Sequence, residues 1–466
     1  MLWQFGGNTF DVTPAETFFN EFYYPGLLAE LMAGKKPRAP KDISQLDRRQ
    51  PELKVRTQSG ANTSERKLIL KIEVTEKPSD TDHASGSGAR DVRLFRNGSL
   101  VKVWRGDVLK GQTSATLEAE VTIVAGENQF TAYAFNHDNV KSKDAMLSVV
   151  GATSLRRDAT AYVLSIGINT YSNEQFNLKY AVADASVFGE QMQRAQQQIA
   201  TYKHIEVASL LDAQATKANI LLALKLLSGT VDAPPPDAPG ALQKLKAIQP
   251  EDALFIYFAG HGTAQKQRFY LVPHDLGYTG ERKDLDAAGF QLILDHGISD
   301  EELERAVEGL DADKLLMIID ACNSGQALEA EEQRRGPMNS KGLAQLAYEK
   351  GMYILTAAQS YQAAQEVSEL GHGLLTYVLV EEGLKKAAAD TEPKDGEVWV
   401  REWFDYASTR VPNMQLEKMK KARGVGVTLS FVEGGENLAG PITQTPRVFY
   451  RREPEARPLI VAKVVN

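Results

Sequence analysis

The sequence predicts a small β-sandwich followed by a larger α/β unit, in which helices flank a mostly parallel sheet. Two observations support this fold class. From residue 51 to 151, short runs alternate between apolar and polar residues with no helical stretch between them, which is the period of half-buried strands. From residue 157 to 430, wholly apolar runs alternate with helical patterns, as expected where helices cover both faces of a parallel sheet.

The period-two region is predicted to be a sandwich of immunoglobulin-like architecture, because its runs are short and regularly spaced. Asn97 and Gly98 form a typical hairpin turn between two of the runs. The predicted strands are Lys67–Val74, Val92–Arg96, Leu100–Trp104, Leu117–Ile123 and Gln129–Phe135. Nothing in this region indicates chemistry. We therefore expect a structural role, or the binding of an upstream activator or regulatory protein.

Two segments flank these units. Residues 1–50 are irregular apart from a helical pattern at Leu27–Met32. They are either a linker from another domain or a segment that packs elsewhere on the chain. Residues 431–466 are predicted to be a C-terminal tail with a little strand.

The bulk composition excludes several classes of protein. The net charge of -8 over 466 residues, without an evident basic face, argues against nucleic-acid binding. No apolar run approaches the roughly 20 residues of a membrane helix, and the N-terminus lacks the pattern of a signal peptide. The single cysteine excludes an internal disulfide and metal sites built on several cysteines. We expect a cytoplasmic protein.

The chemistry is predicted at the ends of two apolar runs of the α/β unit. Ala253–Gly262 delivers His261 to the end of one run, and Lys314–Gly325 delivers Cys322 to the end of another. Ligands of such folds bind beyond the carboxyl ends of the strands. A thiol and an imidazole at that edge are the two parts that a cysteine nucleophile and its base require.

Each residue alone has an ordinary explanation. Cys322 alone is a buried, inert thiol, and His261 alone is a core histidine or a metal ligand. Both are followed closely by glycine, which lets substrate approach and leaves backbone N–H groups able to point at it. The joint interpretation is a Cys/His dyad, with the N–H groups of Gly262 and Cys322 as the candidate oxyanion hole.

Several motifs of the α/β unit together resemble the caspase-like peptidases, clan CD and peptidase family C14. The resemblance covers roughly residues 158–385, and its nearest branch is the bacterial metacaspase-like proteins, or orthocaspases. The motifs are Ile166–Asn169, Leu178–Ala185, Tyr257–Gly262, Asp320–Gly325 and Gly371–Tyr377. This resemblance implies a caspase-like fold and a cysteine endopeptidase that acts on protein substrates.

Substrate preference is expected to differ from that of animal caspases, which carry glutamine two residues before the cysteine. Here that residue is Asp320. In the metacaspase branch this acid and one in the first helix, matched here by Asp184, line the pocket for the residue before the scissile bond. Two carboxylates in a partly desolvated pocket favour a cation and repel an aspartate. Cleavage after Arg or Lys is therefore expected. The alternative for Asp184 is a surface acid of its helix.

Two further expectations follow from the resemblance. The polar stretch Gln326–Ser340 corresponds to the loop that caspase-like enzymes often cut on activation, and Arg334 or Arg335 would suit a basic-specific site. An ordinary solvated loop is the alternative. Metacaspases often need calcium. Four acids could offer oxygen ligands, but their spacing does not fit a known calcium-binding loop. We therefore assign no metal ligand, and a calcium requirement stays open. These acids are Asp284, Asp286, Asp295 and Asp300.

Two other functions remain open from the sequence. One is a catalytically silent caspase-like scaffold that binds partners through its sandwich. The presence of both His261 and Cys322 counts against it. The other keeps the dyad but performs transpeptidation or hydrolyses a non-protein amide. Bacterial relatives of the family occur in stress, cell-death and defence settings. By analogy only, this suggests a defence or signalling role for the protein.

Overall fold

A computed structural model of the chain describes residues 2–4, 12–18, 43–58, 60–265, 268–323, 347–357, 366–367, 371–422, 444, 446–450 and 458–464. The predicted helix at Leu27–Met32 and the loop that contains Arg334 and Arg335 lie outside these residues. No helix within the described ranges is long and apolar enough to cross a membrane.

The first part of the chain folds into two mainly antiparallel layers and a separate pair of strands, β1 and β2. Its strands are β1 (Leu2–Gln4), β2 (Val12–Pro14), β3 (Glu52–Thr57), β4 (Asn62–Thr63), β5 (Lys67–Thr75), β6 (Arg90–Arg96), β7 (Ser99–Asp107), β8 (Ser114–Thr122), β9 (Gly126–Phe135) and β10 (Ala145–Gly151). One sheet has the order β3-β5-β8. The other has the order β4-β10-β9-β6-β7, with β4 parallel to β10.

Alternation explains why these layers pack face to face. Every second residue of β5 is buried, and Leu70 packs in the same cluster as Phe130 of the opposite sheet. Asn97 and Gly98 both adopt positive φ between β6 and β7, which a two-residue hairpin of matching twist requires. The β-rich N-terminal part predicted from the period-two pattern is therefore present.

The described part of residues 1–50 packs on the sandwich. Phe18 and Leu46 form a small buried cluster with Val140. The backbone N–H of Lys141 donates to the carbonyl of Thr17 at 2.8 Å. Of the two sequence interpretations, packing elsewhere on the chain describes these residues.

The second part is built on a central sheet. Its strands are β11 (Thr160–Gly167), β12 (His204–Leu211), β13 (Ala253–Gln265), β14 (Arg268–Leu271), β15 (Ile298–Ser299), β16 (Lys314–Asn323), β17 (Tyr353–Thr356), β18 (Glu366–Val367), β19 (His372–Gly373), β20 (Glu397–Trp399), β21 (Arg447–Phe449) and β22 (Ile460–Lys463). The main order is β12-β11-β13-β16-β17-β21, parallel except for β21, and β14 and β15 extend it from β13.

Helices cover both faces of this sheet. They are α1 (Ala181–Ile199), α2 (Lys217–Leu227), α3 (Ala287–His296), α4 (Asp300–Glu308), α5 (Leu374–Thr376), which continues as a π-helix (Tyr377–Lys385), and α6 (Val400–Ala422). Apolar residues of α2, α3 and α4 are buried against one face. Those of α1, α5 with its π-helix and α6 are buried against the other. The predicted fold class, a mostly parallel sheet flanked by helices, is confirmed.

The segment interpreted as a tail contributes to the second unit. Strand β21 pairs antiparallel with β17, and β22 pairs with β20. Val461 of β22 is fully buried in the core beneath α1 and α6. The short runs that form these strands carry little local signal, because their stability comes from pairing with distant parts of the chain.

The sandwich docks at the amino ends of the central strands. The guanidinium of Arg66 pairs with Glu251 at 2.6 and 2.7 Å, just before β13. That of Arg96 pairs with Asp311 at 2.7 and 3.0 Å, just before β16. The sandwich therefore lies across the central sheet from the carboxyl ends of its strands, where the candidate site is.

Candidate active site

The two predicted catalytic residues are neighbours in the central sheet. Strands β13 and β16 run parallel, and His261 is the register partner of Cys322. Parallel strands lie about 4.8 Å apart, so this register brings the two residues together although they are far apart in sequence. The pairing predicted from two strand ends is thus present in the backbone.

Both strands extend further than the sequence suggested. His261 and Cys322 were expected just past their strands, yet β13 continues to Gln265 and β16 to Asn323. In β13 the reason is a hairpin, in which Gly262 pairs with Leu271 of β14, and β16 stays paired with this extension as far as Asn323. A Cβ on Gly262 would lie 2.8 Å from the Phe269 ring. Close packing therefore requires this glycine, whatever its N–H does in a reaction.

The imidazole of His261 is buried and hydrogen-bonded to a backbone carbonyl, and the backbone of the same residue bonds a phenol. Its Nε2 lies 2.7 Å from the carbonyl oxygen of Phe176, and its own backbone N–H donates to the Tyr171 hydroxyl at 2.7 Å. A carbonyl can only accept, so Nε2 must carry the proton. The lone pair of the neutral ring is then on Nδ1, which is buried and has no hydrogen-bond partner among the described residues.

This environment keeps His261 neutral. The pKa of His261 is lowered to about 4, mainly by burial; the Phe176 carbonyl acts in the opposite direction, and the nearby Arg282 guanidinium adds a smaller lowering. An unprotonated Nδ1 at neutral pH is the form that a general base needs. The same desolvation makes the imidazolium costly once it has accepted a proton.

The turn that presents the Phe176 carbonyl was not predicted. Asn173 is buried beneath it, and its side-chain oxygen accepts from the N–H of Gln175. The amide of the same side chain donates to the carbonyls of Tyr278 and Gly280. Asn173 is a typical cap residue in the sequence, but a main-chain carbonyl has no side-chain signature, so the sequence could not identify it as the partner of His261.

The two predicted pocket acids converge beside this pair of strands. Asp184 on α1 is 3 % exposed and Asp320 on β16 is 8 % exposed. A Cβ on Gly373 would meet Asp184 Oδ2 at 2.9 Å and Asp320 Oδ2 at 3.2 Å. The carboxylates therefore flank one point in the fold, which only a glycine backbone fills. The alternative that Asp184 is an exposed helix-surface acid is wrong.

Asp320 cannot ionise freely in this setting. Burial, followed by the charge of Asp184, raises its pKa to about 7, while the Thr376 hydroxyl, which donates to Oδ2 at 2.9 Å, opposes the shift. Tyr257 also hydrogen-bonds Thr376 and lies 3.4 Å from the same carboxylate oxygen. Its phenol has a pKa well above the usual value because it is buried and close to two acids.

A histidine contacts the acid pair, which we define as Asp184 and Asp320. No role was assigned to this residue, His372, from the sequence. His372 Nδ1 lies 2.8 Å from Asp184 Oδ1, and the N–H of Gly373 lies 3.0 Å from Oδ2 and 3.2 Å from Oδ1. The hydrogen bond to Asp184 raises the pKa of His372. The only sequence signal was the motif Gly371–Tyr377, which did not by itself indicate chemistry for His372.

Three of the four acids that could offer oxygen ligands to calcium have structural roles. Asp286 caps α3 by accepting from the Gly289 N–H. Asp300 pairs with Arg268, and Asp295 accepts from Gln291. Within the described ranges no group of three or more His, Cys, Asp or Glu residues could hold a metal ion.

Comparison with known proteins identifies a family for the second unit. The sequence matches the family model of the caspase domain, Peptidase C14, over residues 160–421, which is more than half of the chain. A search of curated proteins finds no match.

Matches to solved structures are weak. Fibronectin(III)-like modules of CbhA from Clostridium thermocellum are 22 % identical, with 23 % of this chain and 50 % of that chain covered and a TM-score of 0.16. A Bacillus subtilis protein is 12 % identical over 65 % of this chain and 74 % of its own, with a TM-score of 0.19. A polysaccharide deacetylase from Bacillus cereus is 14 % identical over 44 % and 60 %, with a TM-score of 0.14. The chain thus spans half of the first of these, and TM-scores this low carry no argument.

Proposed function

The chain belongs to the caspase domain family, Peptidase C14, and from this premise we propose that it is a cysteine endopeptidase that cleaves after Arg or Lys through a Cys322/His261 dyad. The register pairing of His261 with Cys322 carries the proposal. The buried acids Asp184 and Asp320 support the basic preference.

In the proposed mechanism the neutral Nδ1 of His261 takes the thiol proton as the sulfur of Cys322 attacks the peptide carbonyl carbon. The electron pair of the carbonyl bond moves to oxygen, where backbone N–H groups, with those of Gly262 and Cys322 as candidates, stabilise the charge. When the intermediate collapses, the C–N bond breaks and the amine leaves with the proton from His261. Water, deprotonated by the same imidazole, then hydrolyses the thioester.

The specificity argument is electrostatic. Asp184 and Asp320 lie close together in a setting of low polarity, so one charge raises the cost of the other. A guanidinium or ammonium group of the substrate relieves this repulsion, whereas an aspartate side chain increases it. We therefore propose that basic residues occupy the pocket.

A panel of fluorogenic peptides with Arg, Lys or Asp before the reporter tests the proposal. We expect turnover of the Arg and Lys peptides in the presence of calcium and a reducing agent, and its loss in Cys322→Ala and His261→Ala. A parallel assay without calcium tests the calcium requirement. No turnover of any peptide by the wild type would favour a silent scaffold. Cleavage confined to the Asp peptide would refute the pocket argument, and release of an amide from a non-protein substrate alone would favour an amidase.

We also propose that the enzyme cuts itself after Arg334 or Arg335. A basic-specific site would accept either residue, and both belong to a polar stretch of the sequence. Mass spectrometry of active protein should find a new C-terminus at one of them. The double variant Arg334→Gln/Arg335→Gln should stay intact, as Cys322→Ala should. An intact segment in fully active wild type would end the idea.

For its setting, we propose a cytoplasmic protease whose sandwich binds an activator or regulator, in stress or defence. One cysteine in the whole chain suits a reducing compartment. Cell fractionation tests the location. Affinity capture with the Cys322→Ala protein, compared with the same protein in which the exposed sandwich residues Ile69 and Met146 are changed to Lys, tests the partner.

A further inference from the structure

His372 lies at the acid pair and has no part in the mechanism above. Strand β19 brings it beside α1, where its Nδ1 meets Asp184 Oδ1 at 2.8 Å. Its side chain is 19 % exposed, against 5 % for that of Asp184. His372 is thus more solvent-accessible than Asp184, and its Nδ1 occupies one of the two Asp184 carboxylate oxygens.

The surroundings raise the pKa of His372, chiefly through its hydrogen bond to Asp184, while burial acts in the opposite direction. Asp184 faces it from α1, and Glu381 and Lys385 face it from the π-helix. Asp184 keeps a further donor in the Gly373 N–H whether or not the imidazole is charged. Protonation of His372 therefore changes the charge of the site without removing the support of the carboxylate.

We propose that His372 is a specificity-determining residue that competes, when protonated, with the basic side chain of the substrate for Asp184. This inference rests on the proposed function and adds its regulation. The imidazolium neutralises Asp184, and the pocket then attracts a second cation less strongly. The neutral ring donates the same Nδ1–H to the carboxylate and leaves its charge to the substrate. His372 positions Asp184 and does not touch the reacting atoms.

The conservative variant His372→Asn separates charge from hydrogen bonding, because its amide can donate near the position of Nδ1 but cannot titrate. We expect its KM for an Arg peptide at pH 5.5 to be about tenfold lower than that of the wild type, which corresponds to about 1.4 kcal/mol. At pH 8 the two KM values should agree within about twofold, and kcat should change little at either pH. His372→Ala, which loses the donor as well, should raise KM at both pH values.

A matched control is His296→Asn. His296 is exposed, and its Nδ1 contacts the backbone carbonyl of Asp275 at 3.0 Å, away from the acid pair. This variant should follow the wild type across the pH range. If His372→Asn also follows the wild type, the competition is refuted.

A readout independent of turnover is the NMR titration of the His372 ring in Cys322→Ala protein. Adding agmatine, a small guanidinium probe, should lower the pKa of His372, and so should Asp184→Asn. A titration unchanged by both would refute the inference even if Arg peptides are cleaved. Failure to cleave Arg or Lys peptides, with the agmatine effect present, would instead refute the proposed protease and leave the cation site standing.

Discussion

At the scale of single residues, His261 is oriented by a backbone carbonyl where many cysteine and serine hydrolases use a side chain. A carboxylate both orients the imidazole and stabilises the imidazolium. The Phe176 carbonyl fixes the tautomer at 2.7 Å but brings only a partial charge. The burial of His261 therefore outweighs it, and the ring stays neutral down to a pKa of about 4.

Because the pKa of His261 is low, kcat should begin to fall on acidification at a much lower pH than it would for an ordinary histidine. Because kcat reports groups in the enzyme–substrate complex, we expect it to remain flat from pH 8 to below pH 6 for an Arg peptide. The effects of Asp320 and His372 should be seen in KM instead. The measurement is kcat and KM over that range, with ionic strength fixed. A kcat that halves near pH 6.5 would show that His261 is solvated or paired with an acid.

The raised pKa of Asp320 also predicts how stability depends on pH. Its folded-state value of about 7 exceeds the ordinary value of 3.8, so between these pH values the folded state binds more protons than the unfolded one. Stability from this group is therefore present below about pH 4 and is lost as pH rises towards 7. Asp320→Asn should raise the free energy of unfolding at pH 8 by on the order of a few kcal/mol and should abolish cleavage after Arg.

Urea unfolding of both proteins at pH 5 and pH 8 measures this, with the gain expected to be larger at pH 8. Asp158→Asn is the control, since Asp158 is exposed and its pKa is lowered by the ion pair with Lys203. It should give no such gain. Equal stability of Asp320→Asn and wild type at pH 8 would mean that the acid pair is well solvated.

At the scale of elements, the segment formed by β19 and α5 supplies hydrogen-bond donors to both Asp184 and Asp320. Gly373 N–H bonds Asp184, and three residues later the Thr376 hydroxyl bonds Asp320. The helix then continues as a π-helix (Tyr377–Lys385), a form often found at functional sites. One short segment thus holds both carboxylates.

Gly373→Ala tests this role of the segment. The new Cβ would lie 2.9 and 3.2 Å from carboxylate oxygens, so the segment or the acids must move. We expect KM for Arg peptides to rise about tenfold, or about 1.4 kcal/mol, with a smaller effect on kcat. Gly240→Ala is the matched control, because a Cβ there meets nothing within 4 Å. Unchanged kinetics for Gly373→Ala would show that the segment moves away when substrate binds.

The main strands, and the residues at their ends that form the candidate site, could be predicted from the sequence for physical reasons. Period-two alternation and apolar runs report burial directly, so β5 and β16 were predicted almost as they occur. The register of β13 against β16 could only be expected from matching strand ends. The Phe176 carbonyl and the Asp184–His372 contact depend on loop geometry and long-range packing, which leave no periodic trace. A little strand was predicted in residues 431–466, but β22 was not located there for the same reason.

At the scale of the whole molecule, the sandwich and the site occupy opposite edges of the central sheet. Arg96 of β6, 4 % exposed, forms two hydrogen bonds with Asp311 just before β16. Lys350, just before β17, donates to the carbonyls of Leu100 and Leu310, and burial lowers its pKa to about 8. The sandwich therefore supports the amino ends of the strands that carry His261 and Cys322, and among the described residues it lies away from their carboxyl ends.

Arg96→Met tests whether the two units unfold together. Removing one partner of a buried, hydrogen-bonded ion pair costs about 2–5 kcal/mol, because the other charge stays desolvated. Asp311 is partly exposed and can rehydrate, so we expect about 2 kcal/mol, measured by chemical denaturation. The wild type should unfold in one transition seen by both near- and far-UV circular dichroism. Because the site lies at the other edge, kcat and KM of the folded variant should not change.

An exposed ion pair provides the control for the buried Arg96–Asp311 ion pair. Lys67→Ala removes an exposed partner of Glu120 within the sandwich and should cost less than about 1 kcal/mol. Arg96→Met/Asp311→Leu removes both charges and should recover much of the stability that Arg96→Met loses, since an apolar pair avoids the desolvation. The interface does not couple the two units if Arg96→Met loses no more stability than Lys67→Ala. The same conclusion follows if the sandwich unfolds in a separate transition with the same midpoint in the wild type and in Arg96→Met. The sandwich is then free to act as an independent partner-binding module.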